Sequence, residues 1–393
     1  MNPLSSYFSA VPDPRGASNA QRHLLIDLLT IALCAMLSGA QTFTDMEAFG
    51  REKQAWLQAR LGLKLPGGIP SHDTFGRLFA ALEPHSMGQA MQKWTRALHQ
   101  TTQGQVIALD GKAVRRSFDK ATGQGALHLV NAWASGSRLV LAQCEVDSKS
   151  NEMKAIPTLL EMLEVRGCIV TCDALNTQKE IARQIIAQEG DYVLALKENH
   201  RLLFEEVRDY FAWCKTQPGG LVKLSDSHTQ STNWGHGRHE VRRCFAVEAT
   251  AQDWPRALEQ WPGLKTLVLV ESQRTPTGTP TGTPTGTPTG TGTEFHQRFY
   301  LSSLPCEATG LLEAVRSHWG VENQVHWCLD VAFDEDACRV RKDHAPENLA
   351  LWRRLSLNLL RQEDSDKRGL EAKRLRAAWN TDYLLKLLVA DKS

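Results

Sequence analysis

The sequence predicts an α/β protein: a helical N-terminal domain, an α/β core carrying a mostly β insertion, and C-terminal helices that complete the core. Three observations predict it. The first hundred residues carry helical periodicity uninterrupted by any strand pattern. From Gln105 onward, short apolar runs rich in β-branched residues alternate with amphipathic segments. A third stretch, from about Thr229 to Leu304, reads as strands around a Thr-Pro-Thr-Gly repeat. The boundaries this implies are 1–102, 103–228, 229–304 and 305–393.

In the first region, Leu24–Ala40 is the most apolar run. It is short for a membrane span and contains Asp27, so a buried helix is the expectation. A second helix is expected from near Thr44, through Met46, Phe49, Trp56 and Leu57. IPSHDTFGRLFAALEP predicts a short helix with Ser71 as its N-cap and Pro84 at its end or at the next start. Another helix follows through Met91, Trp94 and Leu98.

In the core, VIALDG, LHLVNAWAS and RLVLAQCEVD predict a three-strand antiparallel meander. An amphipathic helix through Ile156 and Leu163, the strand CIVTCDA, the helix KEIARQIIAQEG and the strand DYVLALKEN come next. The third region offers RHEVRRCFAVEA, LKTLVLVES and HQRFYLSSL as strands. Between the last two, the repeat beginning at Thr275 is too rich in Pro and Gly to keep a strand ladder, so an exposed disordered loop is expected. Beyond Ser302, one long helix is predicted from Ala308 to about Leu329, another from Asn348 to Leu360, and a helical tail of mixed charge.

The net charge of +1 argues against a simple nucleic-acid coating protein but leaves a DNA enzyme open, because local clusters matter more than the sum. Those clusters are Lys112, Arg115 and Arg116; Arg238, Arg242 and Arg243; Arg339, Arg341 and Lys342; and Lys373, Arg374 and Arg376. The nine scattered cysteines form no Cys-x-x-Cys pair, which predicts reduced thiols rather than a zinc or disulfide framework. With no apolar core in the opening MNPLSSYFSAVPDPRG, a cytoplasmic location is expected.

Asp110 and Asp173 each end a predicted strand. One Asp at a strand end is ordinarily a turn residue, but two on neighbouring strands make a rigid pair of hard oxygen donors suited to Mg²⁺. Glu322 lies in RSHWGVENQVHWCLDVAFDED, where His318, Glu322 and His326 recur every four residues and so share one face of the predicted helix. Two histidines and a glutamate also permit a zinc site, although the spacing His-Glu-x-x-His is absent.

These stretches resemble the DDE transposases of bacterial insertion sequences, in the H-repeat-associated group. The resemblance rests on IPSHDTFGRLF, IALDGKAVRRS, HLVNAWAS, CDALNTQKEIA, DYVLALKEN, FYLSSL and the run from Arg316 to Leu360, in that order along nearly the whole chain. It implies a ribonuclease H-like core with an N-terminal helical domain and a mostly β insertion, and Asp110, Asp173 and Glu322 as the catalytic, metal-binding carboxylates. It implies Mg²⁺, with Mn²⁺ as a substitute, and double-stranded DNA as partner, both terminal inverted repeats and target, in a homodimeric complex. Recognition of the ends would fall to the N-terminal helices. Lys112, Arg115, Arg116, Lys197, Asn199, His318, Trp319, Asn323, His326, Arg339 and Arg341 are the expected DNA contacts. The chain departs from the wider pattern where Arg four residues before the Glu and Lys seven after it are replaced by His318 and Leu329. The usual Lys-Gly-Asn-Gln reads Lys197-Glu198-Asn199-His200 here. The expected activity is cleavage at element ends and strand transfer. A nuclease that does not join, and a catalytically silent DNA-binding remnant, are the alternatives.

Overall fold

The computed structural model describes residues 5–17, 22–98, 104–118, 125–146, 152–235, 238–249, 260–276 and 292–389. Helices α1 (Ser5–Phe8), α2 (Leu25–Leu37), α3 (Phe43–Leu61), α4 (His72–Ala81) and α5 (Pro84–Leu98) come first. Strands β1 (Val106–Val114), β2 (Leu127–Ala134) and β3 (Leu139–Val146), helix α6 (Glu152–Met162), β4 (Ile169–Cys172), α7 (Lys179–Ala187) and β5 (Asp191–Leu196) follow. Next are α8 (Arg201–Thr216), α9 (Gly220–Leu224), β6 (Ser227–Gly235), β7 (Arg238–Glu248), β8 (Thr266–Pro276) and β9 (Glu294–Ser302). The chain ends in α10 (Ala308–His318), a π-helical turn (Glu322–His326), α11 (Trp327–Phe333), α12 (Ala345–Gln362), α13 (Leu370–Trp379) and α14 (Thr381–Leu388). An N-terminal helical region thus precedes a mixed sheet and further helices. The chain divides into two compact units, one of Met1–Gln100, Gly111–Leu163 and Val321–Ser393, the other of Thr101–Asp110 and Glu164–Gly320.

In the first unit, α2 is buried from Asp27 to Leu37, as its composition demands. No described helix is long and apolar enough to cross a membrane. Asp27 accepts from the backbone N–H groups of Lys64 (3.1 Å) and Leu65 (2.9 Å), while burial raises its pKa. Helix α3 starts on a capping box between Thr42 and Asp45 and stops at Gly62, whose φ of 69° only glycine adopts without strain. Ser71 stands at the N-cap of α4, but its hydroxyl meets Thr74 Oγ1 at 3.1 Å and caps no backbone N–H. The loop before α4 lies close to the chain at Arg22: a Cβ on Gly67 would stand 2.6 Å from the Arg22 carbonyl oxygen. Gly67→Ala is therefore expected to destabilise the protein by about 1–3 kcal/mol, read as a lowered urea midpoint. An unchanged midpoint would refute this reading of the loop.

Helix α12 is buried along nearly its whole length. Trp352 meets Phe8 and Phe79 edge-on, with ring centroids 5.1 and 6.0 Å away. Asn348 donates to the carbonyls of Phe79 and Leu82 at the end of α4, and Asn358 exchanges two hydrogen bonds with Val140 of β3. Two members of the basic tail cluster, Lys373 and Arg374, turn inward. Lys373 donates to the Leu360 and Glu363 carbonyls, and Arg374 to those of Met36, Ala40 and Ala332. Carbonyls at the end of α12 have no intrahelical donor, so a buried ammonium there meets a structural need.

In the second unit, β1 pairs parallel with β4, and β4 with β5; β5 then pairs antiparallel with β9, and β8, β7 and β6 continue antiparallel. Leu311, Leu312 and Val315 of α10 pack on Val193, Val268 and Tyr300 of this sheet. Strand β6 escaped the sequence reading because Ser, Thr, Gln and Asn on an edge carry no hydrophobic alternation. Thr275 and Pro276, the first residues of the repeat, end β8 opposite His239 and Arg238. The expected disordered loop otherwise falls on 277–291, outside the described residues. The predicted helix from Ala308 to Leu329 is not regular: α10 ends at His318 and a π turn intervenes. Its wider i→i+5 bond, from Trp327 N–H to the Glu322 carbonyl, replaces the regular α-helical turn expected between Glu322 and His326.

Candidate active site

Leu109 of β1 lies opposite Cys172 of β4, where the parallel pairing ends. Asp110 comes next inside β1, which runs on to Val114, so it does not end its strand as expected; Asp173 directly follows the last residue of β4. The buried Cys172 thiol senses both: its pKa is pushed well up, first by burial and then by the charges of Asp173 and Asp110. Both carboxylates are half-buried. Asp173 has extended backbone and caps a single 3₁₀ turn, its Oδ1 accepting from the Asn176 backbone N–H (3.2 Å) and side-chain Nδ2 (2.8 Å).

The turn is tied down by Thr177, which the sequence reading did not single out, and by Asn199 and His200 of the segment that departs from the wider pattern. Thr177 Oγ1 lies 3.2 Å from the Asp173 carbonyl and 2.6 Å from that of Ala195 on β5. His200 Nε2 donates to the Thr177 carbonyl at 2.6 Å, and Asn199 Nδ2 to that of Ala174 at 2.5 Å. The Lys197–His200 segment therefore braces the turn that carries Asp173, and its departure from the usual wording places an imidazole in that bracing role. Only the adjacency of CDALNT to a second strand end could have hinted at this. His318 Nδ1 is hydrogen-bonded to Thr171 Oγ1 at 2.9 Å. Although the residue is half-exposed, its imidazole is shielded: loss of hydration pushes its pKa down to about 4, with the Asp173 carboxylate pulling the other way. Arg298 stacks over the exposed Trp319, 4.8 Å from the ring centre.

In the first unit, Glu322 and Asn323 are exposed on the π turn and His326 is half-buried there. Lys112 is buried and committed: it contacts both oxygens of Asp330, at 2.6 and 2.8 Å, with Asp336 at 3.5 Å. A buried, paired ammonium is a structural cation, which corrects its expected place among surface phosphate contacts. Arg115 is exposed and 3.2 Å from Asp336, and Arg116 and Arg339 are exposed. Arg341 lies over the Phe118 ring and reaches the Arg116 carbonyl. In the second unit Lys197 is exposed.

Asp110 and Asp173 supply hard oxygen donors at one place, which suits a divalent cation such as Mg²⁺. Among the described residues, no group of three or more His, Cys, Asp or Glu side chains is close enough to hold a metal ion.

Comparison with known proteins agrees with the layout. The family profile described as "DDE_Tnp_1-associated" matches residues 5–95, and that described as "Transposase DDE domain" matches residues 101–359. The chain is 33% identical over 388 residues to "H repeat-associated putative transposase YhhI" of Escherichia coli strain K12, covering 98% of this chain and 97% of that one. It is 44% identical over 279 residues to "Uncharacterized protein in dhlA 3'region" of Xanthobacter autotrophicus, covering 69% and 89%. A solved piggyBac transposase synaptic complex with hairpin DNA aligns with a TM-score of 0.42 at 11% identity, covering 100% of this chain and 78% of that one, too slight a likeness to argue from. With the helical and DDE profiles together spanning most of its length, this chain belongs to the DDE transposase family of bacterial insertion sequences, in the H-repeat-associated group.

Proposed function

We propose that this protein cuts DNA at the ends of a mobile element and joins the freed ends to target DNA, using Asp110, Asp173 and Glu322. The observation that carries the reading is the pair Asp110 and Asp173, each the residue after the last registered pair of the parallel strands β1 and β4. The adjoining core is read as ribonuclease H-like, residues 229–304 as its β insertion, and residues 1–102 as the part that grips the element ends. Mg²⁺ or Mn²⁺, when bound, would activate the attacking oxygen and stabilise the leaving 3′ oxygen. The chain's own contribution is placement. Asp173 is held by Asn176, and its turn by Thr177, Asn199 and His200, so its free energy of reorganisation during the reaction is small. His318, neutral at physiological pH, keeps its ring beside Thr171 and adds no positive charge that would compete with a metal. Arg115, Arg116, Arg339 and Arg341 are proposed to hold phosphates, which positions DNA without reading its sequence. Two element ends handled together imply a homodimer on DNA.

The test is a labelled duplex carrying the inverted repeat that flanks the gene, incubated with the full chain and Mg²⁺ or Mn²⁺, with EDTA as control. The expected result is a nick at the repeat end that leaves a 3′-OH, abolished by EDTA, followed by joining to a second DNA. Cutting without joining would replace the proposal with a nuclease. Specific binding without cutting would leave a silent DNA-binding remnant.

A further inference from the structure

The motif IPSHDTFGRLF has no role in the carboxylate site, yet it lines a large cavity in the N-terminal helical region. This cavity, about 550 Å³, is bounded by Ile69, Ser71, Thr74, Arg77 and Ala81 on one side and by Arg15, Arg22, His23 and Gly67 on the other. Ser71, Thr74, Arg77 and Ala81 follow one another at intervals of three or four residues, so they form a single stripe along α4. The adjoining stripe, Phe75, Leu78 and Phe79, is buried in the core and anchors the helix. The cavity therefore sits on a rigid helix face.

Its chemistry is that of an anion site. Arg22 and Arg77 are exposed at the rim and have no ion-pair partner among the described residues. Arg15 is held from below by a two-pronged pairing with Asp13, at 2.8 and 2.6 Å, and donates to the His23 carbonyl at 2.6 Å. That leaves Arg15 Nη1 buried with no hydrogen-bond partner among the described residues, and His23 Nδ1 is in the same state. Burial, and then the charge of Arg22, lower the His23 pKa; a hydrogen bond with the Gly68 backbone opposes this, and the charge of Arg15 adds to it. The Ser71 and Thr74 hydroxyls are hydrogen-bonded to each other at 3.1 Å, which leaves one of the two free to donate into the cavity. Glycine at position 67 lets the loop pack directly against Arg22 and His23, where a Cβ would clash. Asp13 cancels one of three guanidinium charges and leaves two. Guanidinium forks facing a concave, hydroxyl-lined space match the oxygens of a phosphate.

We infer that this cavity seats one phosphodiester of the DNA backbone, gripped by Arg22 and Arg77 and floored by Arg15, His23, Ser71 and Thr74. The inference rests on the reading of the chain as a DNA enzyme and gives its N-terminal region a defined, sequence-independent contact. The exposed rim favours a phosphate carried on a polymer over a small anion enclosed on all sides.

The test is fluorescence anisotropy of the full chain with a labelled duplex across a KCl series, for the wild type, Arg22→Gln and Arg77→Gln. Both side chains are exposed, and thermal unfolding verifies that each variant folds. A single lost phosphate contact should weaken binding about tenfold and make the slope of log K against log salt shallower by about 0.9, equally on repeat-bearing and scrambled duplexes. Arg77→Lys, which keeps the charge, should restore the slope. Folded variants that bind with wild-type affinity and slope would overturn the inference while leaving the DNA-enzyme reading intact. Inorganic phosphate that raises the thermal midpoint of the wild type but of neither variant, with DNA binding unchanged, would also overturn it in favour of a free-anion pocket. A wild-type chain that binds no DNA at any salt would refute the underlying functional reading itself.

Discussion

Asp173→Asn is expected to abolish metal-dependent cleavage of the repeat-bearing duplex while leaving the fold and DNA binding in place. The asparagine keeps an oxygen where Oδ1 accepts the two hydrogen bonds from Asn176, so the 3₁₀ cap survives. It removes the negative charge that a divalent ion requires. Charge stabilisation by such ions amounts to several kcal/mol of barrier, and each 1.36 kcal/mol is about a factor of ten in rate, so a loss of at least about a thousandfold follows. Asp173→Ala should lose the same activity and also the cap, at a further cost of about 1 kcal/mol in stability. The pair of variants separates chemistry from architecture: cleavage is measured on the labelled duplex and stability by urea unfolding. Cleavage by Asp173→Asn within tenfold of wild type would remove Asp173 from the chemistry.

The largest effect on stability should come from Glu335→Ala. Glu335 is fully buried, with Arg354 Nη1 at 2.8 Å and Arg353 at 4.0 Å, and Arg354 Nε also donates to Asn131. Removing the carboxylate strands two guanidinium groups away from water, a loss of about 3–5 kcal/mol for a broken buried pair. Burial alone would raise the pKa of Glu335, but Arg354, Arg353 and Lys112 overcome it and hold the carboxyl below its ordinary range. The sign of the pH dependence follows. With the folded pKa below the unfolded one, the unfolded chain binds more protons in acid. The pair's contribution is present above the ordinary carboxylate range and is lost as pH falls through the depressed value. Urea unfolding at neutral pH and in mild acid checks both points: the gap between wild type and Glu335→Ala should narrow in acid. A gap under about 1 kcal/mol at neutral pH would mean that the pair contributes no more than a surface bridge.

Much of this molecule was written in short-range patterns. The apolar run at Leu24, the strand–helix alternation from Gln105 and the placement of Asp173 just past a strand were legible because periodicity and turn chemistry act within a few residues, and the family itself followed from ordered motifs; Asp110 instead lies within β1, which runs on to Val114. What the sequence could not express were partners far apart along the chain. Lys112, in an obvious basic cluster, became a buried cation because Asp330 and Asp336, more than two hundred residues later, close around it. Lys373 and Arg374 turned inward because helix-end and loop carbonyls needed donors. Strand β6 exists because β7 offered an unpaired edge, not because its polar residues prefer a strand. The π turn at Glu322 widened a helix whose residues alone read as regular. By itself, then, the sequence determined most of the helices and the buried strands, since those depend on local geometry. Tertiary structure decided which charges are spent on architecture and which remain for DNA, because a charge's role depends on what folding brings to meet it.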